Sequence, residues 1–202
     1  NGAGMSLRIH EKTDRKQNLL EIGCALGFFL DMARKTNLFD TEGIEISNFA
    51  VNYAKYKLNL KVEQGDFLSS QPPYPYYDVL SMWYYIEHNQ DIHSAIKKIK
   101  ESLKIGGILA LSTPNGDGIS SRKNRTAYAE KIPGDHYFEF SPAALKTLLA
   151  KEGFKMISLR FTGVHPARWF KNCPKFLYPL LRFLMKKLHL GDTFEAYFRR
   201  VR

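Results

Sequence analysis

Leu19-Leu20-Glu21-Ile22 is a short apolar run carrying one acid, and Gly23-Cys24-Ala25-Leu26-Gly27 follows it before the amphipathic stretch that starts at Phe28. A buried strand, a tight turn of small residues and a helix N-terminus, in that order, let a backbone approach a bound nucleotide closely. Glu45, within Gly43-Ile44-Glu45-Ile46, lies about twenty residues past that turn, where a carboxylate accepts hydrogen bonds from a ribose diol. Asp66, within Gln64-Gly65-Asp66-Phe67, is placed to accept from an adenine amine while Phe67 packs on the ring. Glu87-His88 ends a fourth apolar segment, and His136 stands in a later loop; these are groups for proton transfer near neutrality. An ordinary structural hydrogen bond is the competing reading for each histidine, and Glu87 equally serves to order its loop.

The elements that position these residues alternate between strand and helix. Strands are predicted at residues 19–22, 42–46, 61–64, 78–82 and 108–112. Between them the spacing predicts a helix over 28–35, one from an N-cap at Ser47 to about Leu58, and one from Asp91 with Ile92, Ala95, Ile96, Ile99 and Leu103 on one side, stopped by Gly106-Gly107. After a long loop (115–135), Ser141-Pro142 caps a helix to about Glu152, Gly153 ends it, and residues 154–162 and 193–200 form two final strands. This pattern predicts an α/β fold with a mostly parallel sheet covered on both faces, and ligands beyond the carboxyl ends of its strands.

Taken in order and spacing, these pieces resemble the class I S-adenosylmethionine-dependent methyltransferases, in particular the subgroup that includes the ubiquinone-pathway methyltransferases. The resemblance runs from Leu19 to about Thr162. It rests on Glu21-Ile22-Gly23-Cys24-Ala25-Leu26-Gly27, Gly43-Ile44-Glu45-Ile46-Ser47, Gly65-Asp66, Asp78-Val79-Leu80 and Ile86-Glu87-His88, then on Leu103–Leu109 read as LKIGGIL, Ser112-Thr113-Pro114-Asn115 and His136–Ser141 read as HYFEFS. It implies a Rossmann-like seven-stranded sheet with an antiparallel C-terminal strand pair, and S-adenosylmethionine as methyl donor. Gly23, Ala25 and Gly27 would underlie the methionine part, with Glu21 ordering the loop. Glu45, beside Ile46, would hold the ribose, Asp66 and Phe67 the adenine, and Met82 and Trp83 would line the cleft. One departure is Ala25, which stands where the family has glycine; a methyl group is compatible with binding at negative φ.

Methyl transfer from a sulfonium needs alignment and desolvation more than a strong acid, and for an oxygen nucleophile a general base helps. His88, His136 and then Glu87 are the candidates; no metal is expected. Gln71-Pro72-Pro73-Tyr74 has the look of an amino-methylating motif but precedes the fourth strand, so it reads as a stiff connector. No Pro-Cys nucleophile marks a cytosine methyltransferase. Neither Cys24 nor Cys173 suggests a disulfide framework or a zinc spacing, which fits a cytoplasmic setting.

The net charge is +10. From Gly163 onward nine basic residues face only Asp192 and Glu195, so +7 of that charge sits in the last fifth. Such a field favours an anionic partner, whether nucleic acid, acidic substrate or membrane face, against the plainer reading of a solvated surface. No apolar run reaches the ~18 residues of a transmembrane span. Residues 1–17 read as a tag remnant and lead-in, 18–162 as the methyltransferase core, 163–191 as a basic amphipathic insertion, and 192–202 as the final strand. Pro179 and Leu190 bound a predicted helix, with Leu180, Leu181, Leu184 and Leu188 on one face and Arg182, Lys186 and His189 on another. It is suited to packing by its leucines or to lying on an anionic membrane over a lipid-linked substrate. The expected acceptor is a small or lipid-linked molecule methylated at O or N; the alternatives are a nucleic-acid methyltransferase, a non-catalytic cofactor-binding protein and, more distantly, a nicotinamide-dependent oxidoreductase.

Overall fold

The computed structural model describes residues 15–71, 75–170 and 172–202. The suspected tag remnant at residues 1–4 and the Pro72-Pro73-Tyr74 part of the connector lie outside the described residues.

Seven strands form one sheet: β1 (Gln17–Ile22), β2 (Phe39–Glu45), β3 (Lys61–Gln64), β4 (Tyr77–Trp83), β5 (Leu103–Pro114), β6 (Phe154–Thr162) and β7 (Thr193–Arg200). Their order is β3-β2-β1-β4-β5-β7-β6, with the first five parallel and β7 antiparallel to both β5 and β6. This is the Rossmann-like methyltransferase fold, and the strand order reverses between β1 and β4, where such sheets open a crevice. Alternation along the strands fills two cores. Leu20, Ile22, Leu80, Met82, Leu109 and Leu111 pack on one face. Leu19, Val79, Ile108 and Ala110 pack on the other.

Helices α1 (Phe28–Lys35), α2 (Asn48–Leu58), α3 (Ile92–Ser102), α4 (Ile119–Lys123), α5 (Arg125–Ala129), α6 (Pro142–Lys151), α7 (Pro166–Trp169) and α8 (Tyr178–Lys187) connect the strands. The predicted caps form. Ser47 Oγ accepts from the Ala50 amide at 3.3 Å, Asp91 Oδ1 from Ser94 at 3.0 Å, and Ser141 Oγ from Ala144 at 3.1 Å. Each satisfies an N–H that the first helical turn leaves without a partner.

Several boundaries differ from the sequence reading. β1 starts at Gln17 and β2 at Phe39, because Gln17 pairs with Phe39 ahead of the apolar runs. Gly106-Gly107 does not stop α3; the helix ends at Ser102, and Leu103 is already paired with Tyr77. The two glycines instead lie in an irregular detour of β5, with Gly106 at φ +84°. The long loop after β5 holds α4 and α5. It is pinned to the start of β7 by Asp192, whose carboxylate accepts from the Ser120 amide and hydroxyl at 2.9 and 2.8 Å.

The insertion helix departs most. α8 rests on buried Met185 and on half-buried Leu181, the one leucine of the row read from the sequence that is not exposed. Leu180, Phe183, Leu184 and Leu188 are 42–61 % exposed, and Phe176 ahead of the helix is 80 % exposed.

Candidate active site

An open cleft of about 580 Å³ lies beyond the carboxyl ends of β1, β2, β3 and β4. From the turn after β1, Gly23 lines it, whereas Ala25 and Gly27 do not. Gly23 has φ +67°, and a Cβ there would come within 2.9 Å of the Tyr85 ring. Gly27 has φ +81° and caps α1; a Cβ there would meet Leu60 at 2.7 Å and Ala54 at 3.2 Å. Both positions therefore exclude a side chain by conformation and by contact.

Ala25 does not meet the condition of a negative φ under which a methyl group is tolerated without strain: it lies at φ +46°, in the left-handed region. What holds it there is visible. Its amide donates to Glu45 Oε2 at 2.8 Å, and the Ser47 amide donates to Glu45 Oε1 at 2.8 Å. One carboxylate thus ties the β1 turn to the start of α2, and its remaining lone pairs stay available to a ligand.

Gly23, Glu45, Ile46, Asp66, Phe67 and His88 all line the cleft, as the sequence reading requires of cofactor and acceptor contacts. Phe67 does so from within the core, at 2 % exposure, so its ring is a wall of the cleft more than a free platform. Glu21 lies behind the turn, fully buried. Burial pushes its carboxyl well above the usual carboxylate range, against the Leu30 backbone and with help from the Glu45 charge.

Met82 and Trp83 do not form the cleft wall. Met82 is fully buried in the core, and Trp83 packs edge-on against Phe29 at 5.1 Å. Tyr84 and Tyr85 take that place, because Tyr84 at φ +56° turns the chain out of β4 one residue later than the hydrophobic pattern suggests. Burial pushes the Tyr85 phenol up, and the Asp66 and Glu45 charges add to the shift.

Glu87, His88 and His136 come together although far apart in sequence. The Tyr137 amide donates to the Glu87 carbonyl at 2.9 Å, which lays the later loop across the turn Ile86–His88. The two imidazoles meet edge to face at 4.7 Å. His88 Nδ1 lies 3.1 Å from the Asp135 carbonyl and 3.2 Å from its carboxylate, and His136 Nδ1 lies 3.0 Å from Glu139 Oε1. Tyr128 holds the other Glu139 oxygen at 2.5 Å. Asp135, Tyr137 and the Tyr128–Glu139 pair were not singled out for function from sequence; the candidate His136 and the His136–Ser141 motif pointed at that segment.

The cleft is acidic. Glu45, Asp66 and Asp135 line it without a single Lys or Arg, in a chain of net charge +10. A site for a dinucleotide pyrophosphate needs the reverse balance, whereas a cationic ligand fits this one.

Residues 5–159 match the family described as the methyltransferase domain, which is most of the chain. The chain belongs to the methyltransferase domain family. No curated protein matches the sequence. Solved structures share the fold at low identity. A SAM-dependent methyltransferase from Archaeoglobus fulgidus is 16% identical with a TM-score of 0.71, over 98% of this chain and 94% of that one. An S-adenosylmethionine-dependent methyltransferase from Mesorhizobium loti is 15% identical with a TM-score of 0.70, over 99% and 98%. Geranyl diphosphate methyltransferase is 12% identical with a TM-score of 0.70, over 98% and 77%. The family match makes the chain a methyltransferase domain, and its fold is the one that these S-adenosylmethionine-dependent enzymes share.

Proposed function

We propose that this methyltransferase binds S-adenosylmethionine between Gly23, Glu45 and Asp66 and methylates an oxygen or nitrogen of a small acceptor. The observation that carries the reading is the acidic cleft built on the β1 turn, with Glu45 held by the Ala25 and Ser47 amides. When bound, S-adenosylmethionine supplies a methyl group on a positively charged sulfur. The residues of the chain then do three things. The Gly23 turn lets the backbone approach the ligand, Glu45 and Asp66 accept from its hydroxyl and amine groups, and the carboxylates favour its positive charge. Transfer of that methyl group would leave a neutral sulfide, and an O–H or N–H acceptor would release its proton to solvent in the open cleft. The cleft contributes alignment, which is where most of the acceleration of such a step comes from.

Titration calorimetry with S-adenosylhomocysteine and NAD side by side tests the donor half. Binding of the first and not the second is expected; the reverse would sink the reading.

The exposed apolar face of α8 favours a second element. We propose that the acceptor is lipid-linked and that α8 rests on an anionic bilayer through Phe176, Leu180, Phe183, Leu184 and Leu188. These residues are exposed and interleaved with Lys175, Arg182, Lys186 and Lys187, the pattern of an interfacial helix. A lipid-linked acceptor also accords with the resemblance to the ubiquinone-pathway subgroup. Nucleic acid is the competing anionic partner; salt-sensitive RNA or DNA binding without vesicle binding would favour it. No helix among the described residues is long and apolar enough to cross a membrane.

A further inference from the structure

The Glu87 carboxylate has no place in a structure held together by hydrogen bonds alone. Its residue is fully buried, and neither carboxylate oxygen completes a hydrogen bond of good geometry; its own amide and the Thr113 hydroxyl are close enough to favour the charged form, yet burial still pushes the carboxyl up. A buried carboxylate left in this state costs free energy unless something else meets it. Beyond those two donors stands a pair of histidines. One ligating atom each from Glu87, His88 and His136 lie within 4.8 Å of one another.

Both histidines are also held through Nδ1. His88 Nδ1 is held by Asp135, and His136 Nδ1 by Glu139, which Tyr128 fixes in turn. Oxygen acceptors on Nδ1 fix the tautomer and turn the Nε2 lone pair outward, the arrangement that surrounds metal-ligating imidazoles. Two imidazoles and one carboxylate with open positions suit a first-row divalent metal more than magnesium, whose preferred ligands are all oxygen. Metal–ligand bonds of about 2.0–2.2 Å require ligand atoms about 3–4 Å apart, so the cluster must contract by about 1 Å on binding.

We propose that Glu87, His88 and His136 form a divalent transition-metal site at the acceptor end of the cleft. His88 and Asp135 both line the cleft wall, so the open coordination positions have access to it. A metal there would bind an acceptor through a hydroxyl oxygen and lower the pKa of that hydroxyl. The histidines then act on the acceptor through the metal and not as the general bases that their pKa range suggests. The acceptor part rests on the methyltransferase reading; the metal site does not.

The test uses the full chain, dialysed against chelator and titrated with Co²⁺ alone, followed by calorimetry and by the visible absorption of Co²⁺ with nitrogen ligands. One Co²⁺ per chain is expected, with at least tenfold weaker binding in Glu87→Gln and in His136→Asn, and weaker binding of Mg²⁺ than of Co²⁺. S-adenosylhomocysteine titrated into the same samples, with their melting temperatures, reports whether each variant is folded. Because removing a buried carboxylate can disturb the turn, His88→Asn, at a more exposed position, provides a second reading. Absence of stoichiometric Co²⁺ binding, equal binding by all three variants, or a preference for Mg²⁺ would each overturn the proposal. Failure of S-adenosylhomocysteine to bind wild-type protein would instead strike the methyltransferase reading and leave the metal titration standing.

Discussion

The Ala25 amide donates to Glu45 Oε2 at 2.8 Å while Ala25 itself is held at φ +46°. A left-handed conformation costs an L-residue about 1–2 kcal/mol. The turn keeps it because the same carboxylate also receives the Ser47 amide, so leaving that conformation would break the tie between the β1 turn and α2.

Ala25→Gly should therefore stabilise the protein. Glycine removes the 1–2 kcal/mol strain but adds about 0.5–1 kcal/mol of unfolded-state entropy, leaving a net gain of about 0.5–1 kcal/mol. For a chain of this size that is a rise in Tm of roughly 1–4 °C. Differential scanning calorimetry checks it, and a lower Tm would mean that the methyl group has packing value the turn geometry does not reveal.

Glu45 and Asp66 should respond differently to loss of charge. Glu45→Gln leaves one acceptor oxygen for two amides and turns an NH₂ toward one of them. Losing a charge-assisted bond costs roughly 1.5–3 kcal/mol, so both Tm and S-adenosylhomocysteine affinity should fall, the latter about tenfold or more. Asp66 is exposed, and its carboxylate makes only a long contact with the Ser69 hydroxyl at 3.4 Å. Asp66→Asn should keep folding stability within about 0.5 kcal/mol of wild type and weaken binding alone. Calorimetric titration of the two variants side by side separates a residue that builds the turn from one that only meets the ligand.

The acid limit of stability should carry the signature of Asp78. Burial raises its pKa, but Arg15, the Asn18 amide and Lys104 outweigh that and hold the carboxyl at about 2. Arg15 contacts both oxygens at 2.9 and 2.6 Å, and Lys104 lies at 3.0 Å. A carboxyl whose folded pKa is depressed stabilises the fold above its ordinary pKa near 4, and that contribution is lost as pH falls through about 2. Asp78→Asn should be less stable at neutral pH, by roughly 1–3 kcal/mol, with the difference from wild type shrinking between about pH 4 and pH 2. Urea melts across that range measure it; a gap that stays constant would show that the ion pairs contribute nothing.

Much of this fold can be read from the residues alone. The bounds of α1, β3, β6 and β7 follow from Gly27, Gln64-Gly65, Gly153 and the β-branched and aromatic runs, because each local signal agrees with its neighbours. β1 and β2 start earlier than their apolar runs because strand pairing, not hydrophobicity, extends them to Gln17 and Phe39. The positive φ of Ala25 and Tyr84 could not be read, since neither residue type announces it. Gly23, Glu45 and Asp66 were legible because their spacing reflects strand ends. The meeting of Glu87 with His136 was not, because it depends on the Tyr137–Glu87 backbone bond across forty-odd intervening residues.

The lower face of α8 supplies the last prediction. A helix that faced only its own domain would bury its leucines, yet Leu180 and Leu188 are 55 % and 61 % exposed while Met185 makes the contact. Replacing an exposed leucine costs little, so Leu184→Asp should leave folding stability within about 0.5 kcal/mol of wild type. Association with phosphatidylglycerol vesicles should nevertheless fall sharply in that variant, because the new carboxylate must be desolvated against a negative surface. Lys186→Gln with Lys187→Gln should weaken the same association by about 2 kcal/mol at low salt, close to thirtyfold, since each basic residue near an anionic surface contributes about 1 kcal/mol. Neutral phosphatidylcholine vesicles should bind weakly in every case. Co-sedimentation of the three proteins with both vesicle types decides the matter: equal binding of wild type and Leu184→Asp would place the apolar face of α8 away from the bilayer.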